Sequence, residues 1–347
     1  MPNKPEIRVK EPPFFRRNWS APIIRVAVSA FCKANVIISL ISRYYDSVSL
    51  KARAVPEYNS VPTVSVLLPV FNGGKLLLRA VRSILSQSMP DFELIIINDG
   101  STDQALHDIR AMKESRVRII GSNTRLGLVE RLNEGIDAAQ GRLIARMDAD
   151  DIAFPRRLEM QRQFLDEHAD IDLVGCRAIV FRDLPDNARK IIGLLPFVAP
   201  HEEICAHPWR GFSLPHPTWM GRASWFRRFR YATPEVKGAE DQELLLRSYA
   251  ESRFACLEDV LLGYRQGDFS LLKTLRTRGY WLVAQERHFM AHKGFISAVL
   301  ALSLTLAKIG IDLLAALPGC SRLFFARMGG KPSESDIESL DCARVQA

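Results

Sequence analysis

Apolar residues along this chain fall into four short continuous runs, separated by longer stretches in which they recur every three or four positions. Val64 to Val70 (VSVLLPV), Phe92 to Ile97 (FELIII), Val117 to Ile120 (VRII) and Leu143 to Met147 (LIARM) read as buried strands. Between the first two, Leu77, Ala80, Val81, Ile84 and Leu85 lie at helical spacing. Further helices are predicted over about 103–114 and 128–139. The order β-α-β-α-β-α-β with continuous apolar strands predicts a parallel sheet covered on both faces, a doubly wound α/β domain. Such sheets bind ligands beyond the carboxyl ends of their strands. Three predicted strand ends carry polar residues there: Asn72, Asp99 with Ser101, and Asp148 with Asp150.

The flanks follow other patterns. Within 21–41, Ile23, Val26, Ala27, Ala30, Phe31 and Ala34 predict an amphipathic helix, packed either on the protein's own core or on a membrane surface. Beyond Gly267, Leu271 to His292 reads as a basic helix. Gly294 to Ala307 (GFISAVLALSLTLA) is an uncharged run, shorter than the roughly 18–20 apolar residues of a membrane span. It predicts either a peripheral membrane contact or a buried helical cap or dimer interface. Lys308 and Asp312, four apart, are expected to pair on one face. The expected organisation is an N-terminal extension over 1–61, the α/β domain over 62–268, a helical region over 269–331 and a polar tail over 332–347.

Composition narrows the class. The chain has 347 residues, 47% of them hydrophobic, with a net charge of +8. A basic excess of this size suits nucleic acid, an anionic membrane or a phosphate-bearing substrate. No nucleic-acid-binding motif is visible, so nucleic acid is not expected as a partner. The six scattered cysteines form no Cys-x-x-Cys pair, against a zinc ribbon or a disulfide framework and in favour of a reducing, cytoplasmic compartment. The first twenty residues lack the apolar core of a signal peptide.

Asp148, Asp150 and Asp151 follow the fourth strand within four positions. Three carboxylates so close repel one another, and magnesium or manganese would relieve that repulsion; a solvated acidic turn is the alternative. Glu240 and Asp241 precede Leu244, Leu245 and Leu246, which fits a helix N-terminus, where the dipole favours acids. His216, between Pro215 and Pro217, is either structural or a substrate contact. His288 and His292 lack a third metal ligand and read as a solvated helix face; His201, Cys205 and His207 read as loop and core residues.

Six segments in order resemble the family 2 glycosyltransferases: SVLLPVFNGG (65–74), ELIIINDGSTD (93–103), LIARMDADDIAFPRRLEMQ (143–161), LPHPTWMGR (214–222), GAEDQELLLR (238–247) and LLGYRQG (261–267). The resemblance covers about 62–268 and looks most like bacterial members that build surface or exported polysaccharide. It implies a GT-A fold and inverting transfer from a nucleoside-diphosphate sugar, with a UDP- or GDP-sugar favoured, to a glycan or polyprenyl-linked acceptor. Pro69, Val70 and Asn72 would border the nucleotide base, and Asp99 would accept from a base N–H. Asn133 matches a family asparagine and would join the contacts to the nucleotide. The arginine often found just before it is replaced by Leu132, so Arg125 or Arg146 would supply that charge. Asp148 would contact the ribose or the metal's water shell. Asp150 would hold the divalent metal, Mn2+ or Mg2+, and Asp151 would assist or face the acceptor. Asp241 would be the general base, with Glu240 beside it, and Arg265 would contact phosphate or acceptor. The expected location is cytoplasmic, either free or peripheral on the cytoplasmic face of the inner membrane; the oligomeric state stays open. The carboxylates present argue against a non-catalytic scaffold, and the short Phe71-Asn72-Gly73-Gly74 turn argues against a nucleotidyltransferase.

Overall fold

The first strand, β1 (Val64–Val70), lies at the centre of the parallel half of one large sheet, between β2 (Phe92–Asp99) and β4 (Leu143–Arg146). β3 (Val117–Ser122) extends the parallel half beyond β2, giving the order β3-β2-β1-β4. The alternating side chains of these strands feed two cores. Val64, Val66, Leu68, Leu94 and Ile96 pack towards α1 (Gly74–Leu85) and α2 (Ala105–Ala111). Leu67, Ile95, Ile97 and Ile144 pack towards α3 (Leu128–Ala138) on the other face. With both faces covered, no polar residue interrupts the apolar run FELIII except Glu93, as expected for a parallel sheet.

The computed structural model describes residues 61–184, 188–267, 270–317, 320 and 330–346, the last four without their side chains. The helix expected within 21–41 lies outside the described residues.

The second half of the sheet is mixed and was not legible as strands. β8 (Met220–Arg222) pairs antiparallel with β4 and with β6 (Leu173–Asp183). β6 runs parallel to β9 (Phe254–Arg265) and antiparallel to β7 (Arg189–Leu194). The two-residue strand β5 (Ile152–Ala153) crosses back to pair antiparallel with β9, which brings the acidic turn after β4 against the end of β9. The remaining helices are α4 (Arg157–Glu167), α5 (His201–Ile204), α6 (Ala223–Phe229) and α7 (Glu240–Ser248).

The C-terminal segments join the same compact unit, Ser60–Ala347, and do not form separate bodies. α8 (Leu271–Ala291) packs on α7 and against α9 (Phe295–Ala315), the chain reversing through Lys293 at φ 58°. α9 carries the uncharged run on past Lys308 and Asp312 into a helix of 21 residues, with a mean hydropathy of 1.9, long and apolar enough to cross a membrane by length and composition. Only 28% of its most apolar window is buried, and Phe295, Ile296, Val299, Leu302 and Leu306 are exposed. The expected Lys308–Asp312 pair does not form. Asp312 is 2% exposed and faces α8, where Arg278 holds both its carboxylate oxygens; Lys308 instead donates to the Arg210 carbonyl at 3.4 Å. The tail is not a free polar segment either. Residues Glu334–Gln346 form α10, and Leu340, fully buried, packs with Ile152, Phe154, Ile179, Phe181 and Leu194.

Candidate functional site

Parallel strands β1, β2 and β4 end at the same edge, so Asn72, Asp99 and Asp148 gather there. Asn72 turns the chain after β1 in the left-handed region, φ 52°. Its Oδ1 accepts from Thr102 N at 2.8 Å, and its own N–H donates to Ser101 Oγ at 3.0 Å, which ties the two strand ends together. Val70 is buried and Pro69 half-buried beside it.

Asp99 is buried among donors. Its Oδ1 accepts from Leu126 N at 2.7 Å, Gly127 N at 3.1 Å and Arg131 Nε at 3.1 Å. Oδ2 is less engaged, with Gly127 N at 3.2 Å and Arg125 Nε at 4.0 Å, and is the oxygen left for a ligand. The charge beside Asp99 therefore comes chiefly from Arg131, which sequence reasoning missed. Arg125 is 67% exposed and lies over the Phe71 ring, 4.0 Å from its centroid. Arg131 also donates to Glu134 Oε2, Ser122 Oγ and Thr124 O, so its buried guanidinium braces the whole loop after β3. A signal existed: Leu128, Arg131, Leu132, Gly135 and Ile136 share one helical stripe, and a charge on an apolar stripe announces a buried ion pair.

Asn133 departs from its expected place at the nucleotide. Its side chain is buried and clamps the backbone of Tyr231, donating to Tyr231 O at 3.0 Å and accepting from Tyr231 N at 3.1 Å. Because α3 turns this residue towards the loop after α6, it positions Tyr231. The Tyr231 hydroxyl in turn lies 2.6 Å from His216 Nε2.

The three aspartates after β4 part ways. Asp148 pairs with Arg146, Nη2 to Oδ1 at 2.5 Å. Arg146 is buried; desolvation pulls its pKa down, but Asp148 and neighbouring acids outweigh this and hold it above the ordinary value. Its Nε and Nη1 have no hydrogen-bond partner among the described residues. Asp150 is 42% exposed at the side chain, 3.6 Å from Arg265 Nη1. Burial, then the Asp148 charge, raises its pKa. Asp151 does not face an acceptor: it is 1% exposed, and Oδ1 accepts from Arg265 N at 2.8 Å. The β5–β9 pairing turns it inward, and burial followed by the charges of Asp148 and Asp150 raises its pKa well above the usual carboxylate range. Arg265 serves this acidic turn as a brace, with Nε on Asp183 Oδ2 at 3.1 Å.

Glu240 and Asp241 occupy the first turn of α7, where the helix dipole favours negative charge. Burial overrides it. The Asp241 pKa is raised mainly by desolvation, and Glu240 is pushed up to about 7 by desolvation and then by Asp241. Asp241 lies 3.4 Å from Gln242 Nε2, while Glu240 Oε2 is buried without a partner among the described residues. His216 Nδ1 lies 3.9 Å from Glu240 Oε1. Burial, then the Arg146 charge, holds its pKa well below the ordinary value, so the ring is neutral at pH 7.

Arg146, Asp148, His216, Glu240 and Asp241 line one cavity of about 1090 Å³, room for two sugar-sized ligands. Asn72, Asp99 and Asp150 lie outside its lining. No cluster of three metal-ligating side chains exists among the described residues. A magnesium-type site needs only one or two carboxylates when a substrate's phosphates complete the shell, and the half-exposed Asp150, crowded by Asp148, fits that requirement.

The sequence profile of glycosyl transferase family 2 matches residues 65–230. EpsE of Bacillus subtilis, a protein named as a glycosyltransferase, is 36% identical over 198 residues, 56% of this chain and 69% of that protein. The uncharacterized glycosyltransferase MJ1057 of Methanocaldococcus jannaschii is 27% identical over 245 residues, 69% of this chain and 83% of the other. Among solved structures, S. aureus TarS 1-349 in complex with UDP-GlcNAc superposes with a TM-score of 0.50 at 18% identity, over 82% of this chain and 90% of the other. The mannosyltransferase PcManGT from Pyrobaculum calidifontis, in complex with GDP-Man and Mn2+, gives 0.51 at 14% identity, over 91% and 97%. These structures share the GT-A fold with this protein. With strand ends, buried carboxylates and sequence relatives in agreement, the chain belongs to glycosyl transferase family 2 and is a glycosyltransferase.

Proposed function

We propose that this protein transfers a sugar from a UDP- or GDP-sugar to a hydroxyl group of a glycan or polyprenyl-linked acceptor, with inversion, in the building of a bacterial surface or exported polysaccharide. The observation that carries the reading is the placement of Asp241 and of Asp148, just beyond the end of β4, in one cavity. The nucleotide base lies between Phe71 with Arg125 and the open oxygen of Asp99. Asp150 holds Mn2+ or Mg2+ together with the donor's diphosphate. When bound, the cation supplies Lewis-acid stabilisation of the departing diphosphate.

Asp241 accepts the proton of the acceptor hydroxyl as it attacks, and its raised pKa makes it a stronger base than an exposed aspartate. Arg146 pairs with Asp148, and its Nε and Nη1, without partners among the described residues, are available to donate to the reacting sugar or its departing diphosphate. One displacement with a base on the acceptor side inverts the anomeric carbon. The complexes of TarS with UDP-GlcNAc and of PcManGT with GDP-Man and Mn2+ support donor and metal of this kind. The exposed apolar residues of α9 and the net charge of +8 support a peripheral seat on the cytoplasmic face of the inner membrane.

The test is donor binding and hydrolysis across UDP-, GDP- and dTDP-sugars, with and without manganese, for the natural chain and Asp150→Ala. Metal-dependent binding of one donor, lost in the variant, is expected. Failure to bind any donor under any metal would overturn the reading. Sedimentation with anionic vesicles, reversed by high salt, tests the membrane seat; recovery wholly in the supernatant at low salt would exclude it.

A further inference from the structure

Two buried groups in the Asp241 cavity lack partners of opposite kinds. Arg146, 4% exposed at the side chain, pairs through Nη2 with Asp148 and leaves Nε and Nη1 without a hydrogen-bond partner among the described residues. Glu240, 11% exposed at the side chain, leaves Oε2 buried and unpartnered among the same residues. Both residues line the cavity that Asp241 lines. Their charges act on each other, yet no ion pair joins them among the described residues. Unpaired buried polar groups cost free energy, so a ligand that serves both is favoured.

A hydroxyl group accepts and donates at once, so one placed between them accepts from an Arg146 N–H and donates to Glu240. A phosphate oxygen only accepts, and Asp148, Glu240 and Asp241 would repel its charge. The ligand class is therefore a neutral polyol. Its place in the reaction follows from its neighbours. Arg146 is tied to Asp148, which stands two residues before Asp150, where the donor's diphosphate is assigned. Glu240 adjoins Asp241, the assigned base. The group that lies between diphosphate and base is the sugar being transferred.

Glu240 is held for this task from behind. His216 Nδ1 lies 3.9 Å from Glu240 Oε1, and the buried ring bars the carboxylate from turning that way. The ring is fixed in turn. Its Nε2 lies 2.6 Å from the Tyr231 hydroxyl, and Trp219 packs against its edge with 4.6 Å between centroids. With the ring proton on Nδ1, towards the carboxylate, the Tyr231 hydroxyl donates to Nε2. The Tyr231 backbone is gripped at both N–H and carbonyl by the Asn133 side chain, and Arg247 Nη2 donates to the neighbouring Arg230 carbonyl at 2.7 Å. A buried chain of contacts thus runs from Asn133 on α3 through Tyr231 to His216, and of these three only His216 lines the cavity.

We propose that Glu240, with Arg146, grips a hydroxyl of the donor's sugar beside the general base, and that Tyr231 is the positioning residue that holds His216 and Glu240 in place for it. This inference rests on the glycosyltransfer reading above and deepens its donor side. Glu240 becomes a determinant of which sugar is taken: one with a free hydroxyl facing this pair, not one deoxygenated or acylated there.

Calorimetric titration in the presence of manganese compares each UDP-, GDP- or dTDP-sugar with its own nucleoside diphosphate, for the natural chain, Tyr231→Phe and Glu240→Gln. Both substitutions keep the size of the side chain, and the thermal midpoint reports folding. The ratio of the two affinities isolates the sugar. It is expected to fall about tenfold in each variant while the bare diphosphate binds as before. An unchanged ratio, as water filling the gap would leave it, would overturn the subsite. So would a loss shared equally by sugar nucleotide and diphosphate, which marks the two residues as structural. A ratio lowered in Glu240→Gln alone would overturn the role of Tyr231. Failure of the natural chain to bind any sugar nucleotide removes the glycosyltransfer reading and the subsite with it, whereas intact donor binding with an unchanged ratio removes the subsite alone.

Discussion

Arg131 Nε donates to Asp99 Oδ1 at 3.1 Å, and both side chains are buried behind the loop that follows β3. Removing one member of such a pair leaves the other charged and desolvated. Arg131→Ala is expected to destabilise the protein by about 3–5 kcal/mol in urea denaturation. Nucleotide affinity should fall with it, because Asp99 loses the partner that fixes its orientation. Arg131→Lys restores the charge without the fork of donors to Glu134, Ser122 and Thr124, and should recover only part of the loss.

Asp241→Asn keeps the shape of the side chain and removes the base. Transfer should slow by about 10²–10⁴-fold while donor affinity, measured by titration of the nucleotide sugar, changes little. An unchanged transfer rate would move the base elsewhere.

Glu240 titrates near 7, above its ordinary 4.5, because burial and then the Asp241 charge disfavour its ionised form; Arg146 opposes this and Glu235 adds to it. The folded chain thus holds this proton more tightly than the unfolded chain. Its contribution to stability is full below about pH 4.5 and is lost as pH rises through about 7. His216, depressed by burial and by Arg146, acts in the opposite sense, costing stability as pH falls below its ordinary 6.5. In Glu240→Gln the decline between about 4.5 and 7 should become shallower by the Glu240 share, while the opposite slope from His216 persists, as read by the pH dependence of denaturant midpoints.

Leu340→Ala tests whether the C-terminal helix is part of the fold. Leu340 Cδ1 would lie 2.5 Å from a Cβ added at Gly263, so α10 lies directly on β9. The truncation is expected to cost about 2–5 kcal/mol. Gly263→Ala should destabilise through the same contact, and its effect should not add to that of Leu340→Ala.

The resemblance covered residues 62–268, yet what it implied about individual residues held unevenly. Asp99, Asp148 and Asp150 do stand at the strand ends where the close of each apolar run put them. Asn133 and Asp151 do not open onto the site; both face inward, one towards Tyr231 and the other towards the backbone of Arg265. A motif fixes position along the chain, while the direction of a side chain depends on what packs against it from 98 or 114 residues away. Of the strands that escaped notice, β5 has two residues and β8 three, too few for any period to show.

Taken by itself, the sequence determined the parallel half of the sheet, the helices that cover it and the acids at its edge. Each depends on a local period or on a residue type at a strand end, and both are written within about ten consecutive positions. Tertiary structure alone decided which cation answers each carboxylate: Arg131 for Asp99, Arg146 for Asp148, Arg278 for Asp312. It alone decided, too, that the C-terminal helices wall the cavity of Asp241. Those outcomes turn on electrostatic and packing competition between distant segments, where burial strengthens whichever partner lies nearest and the order of residues along the chain carries no record of that distance.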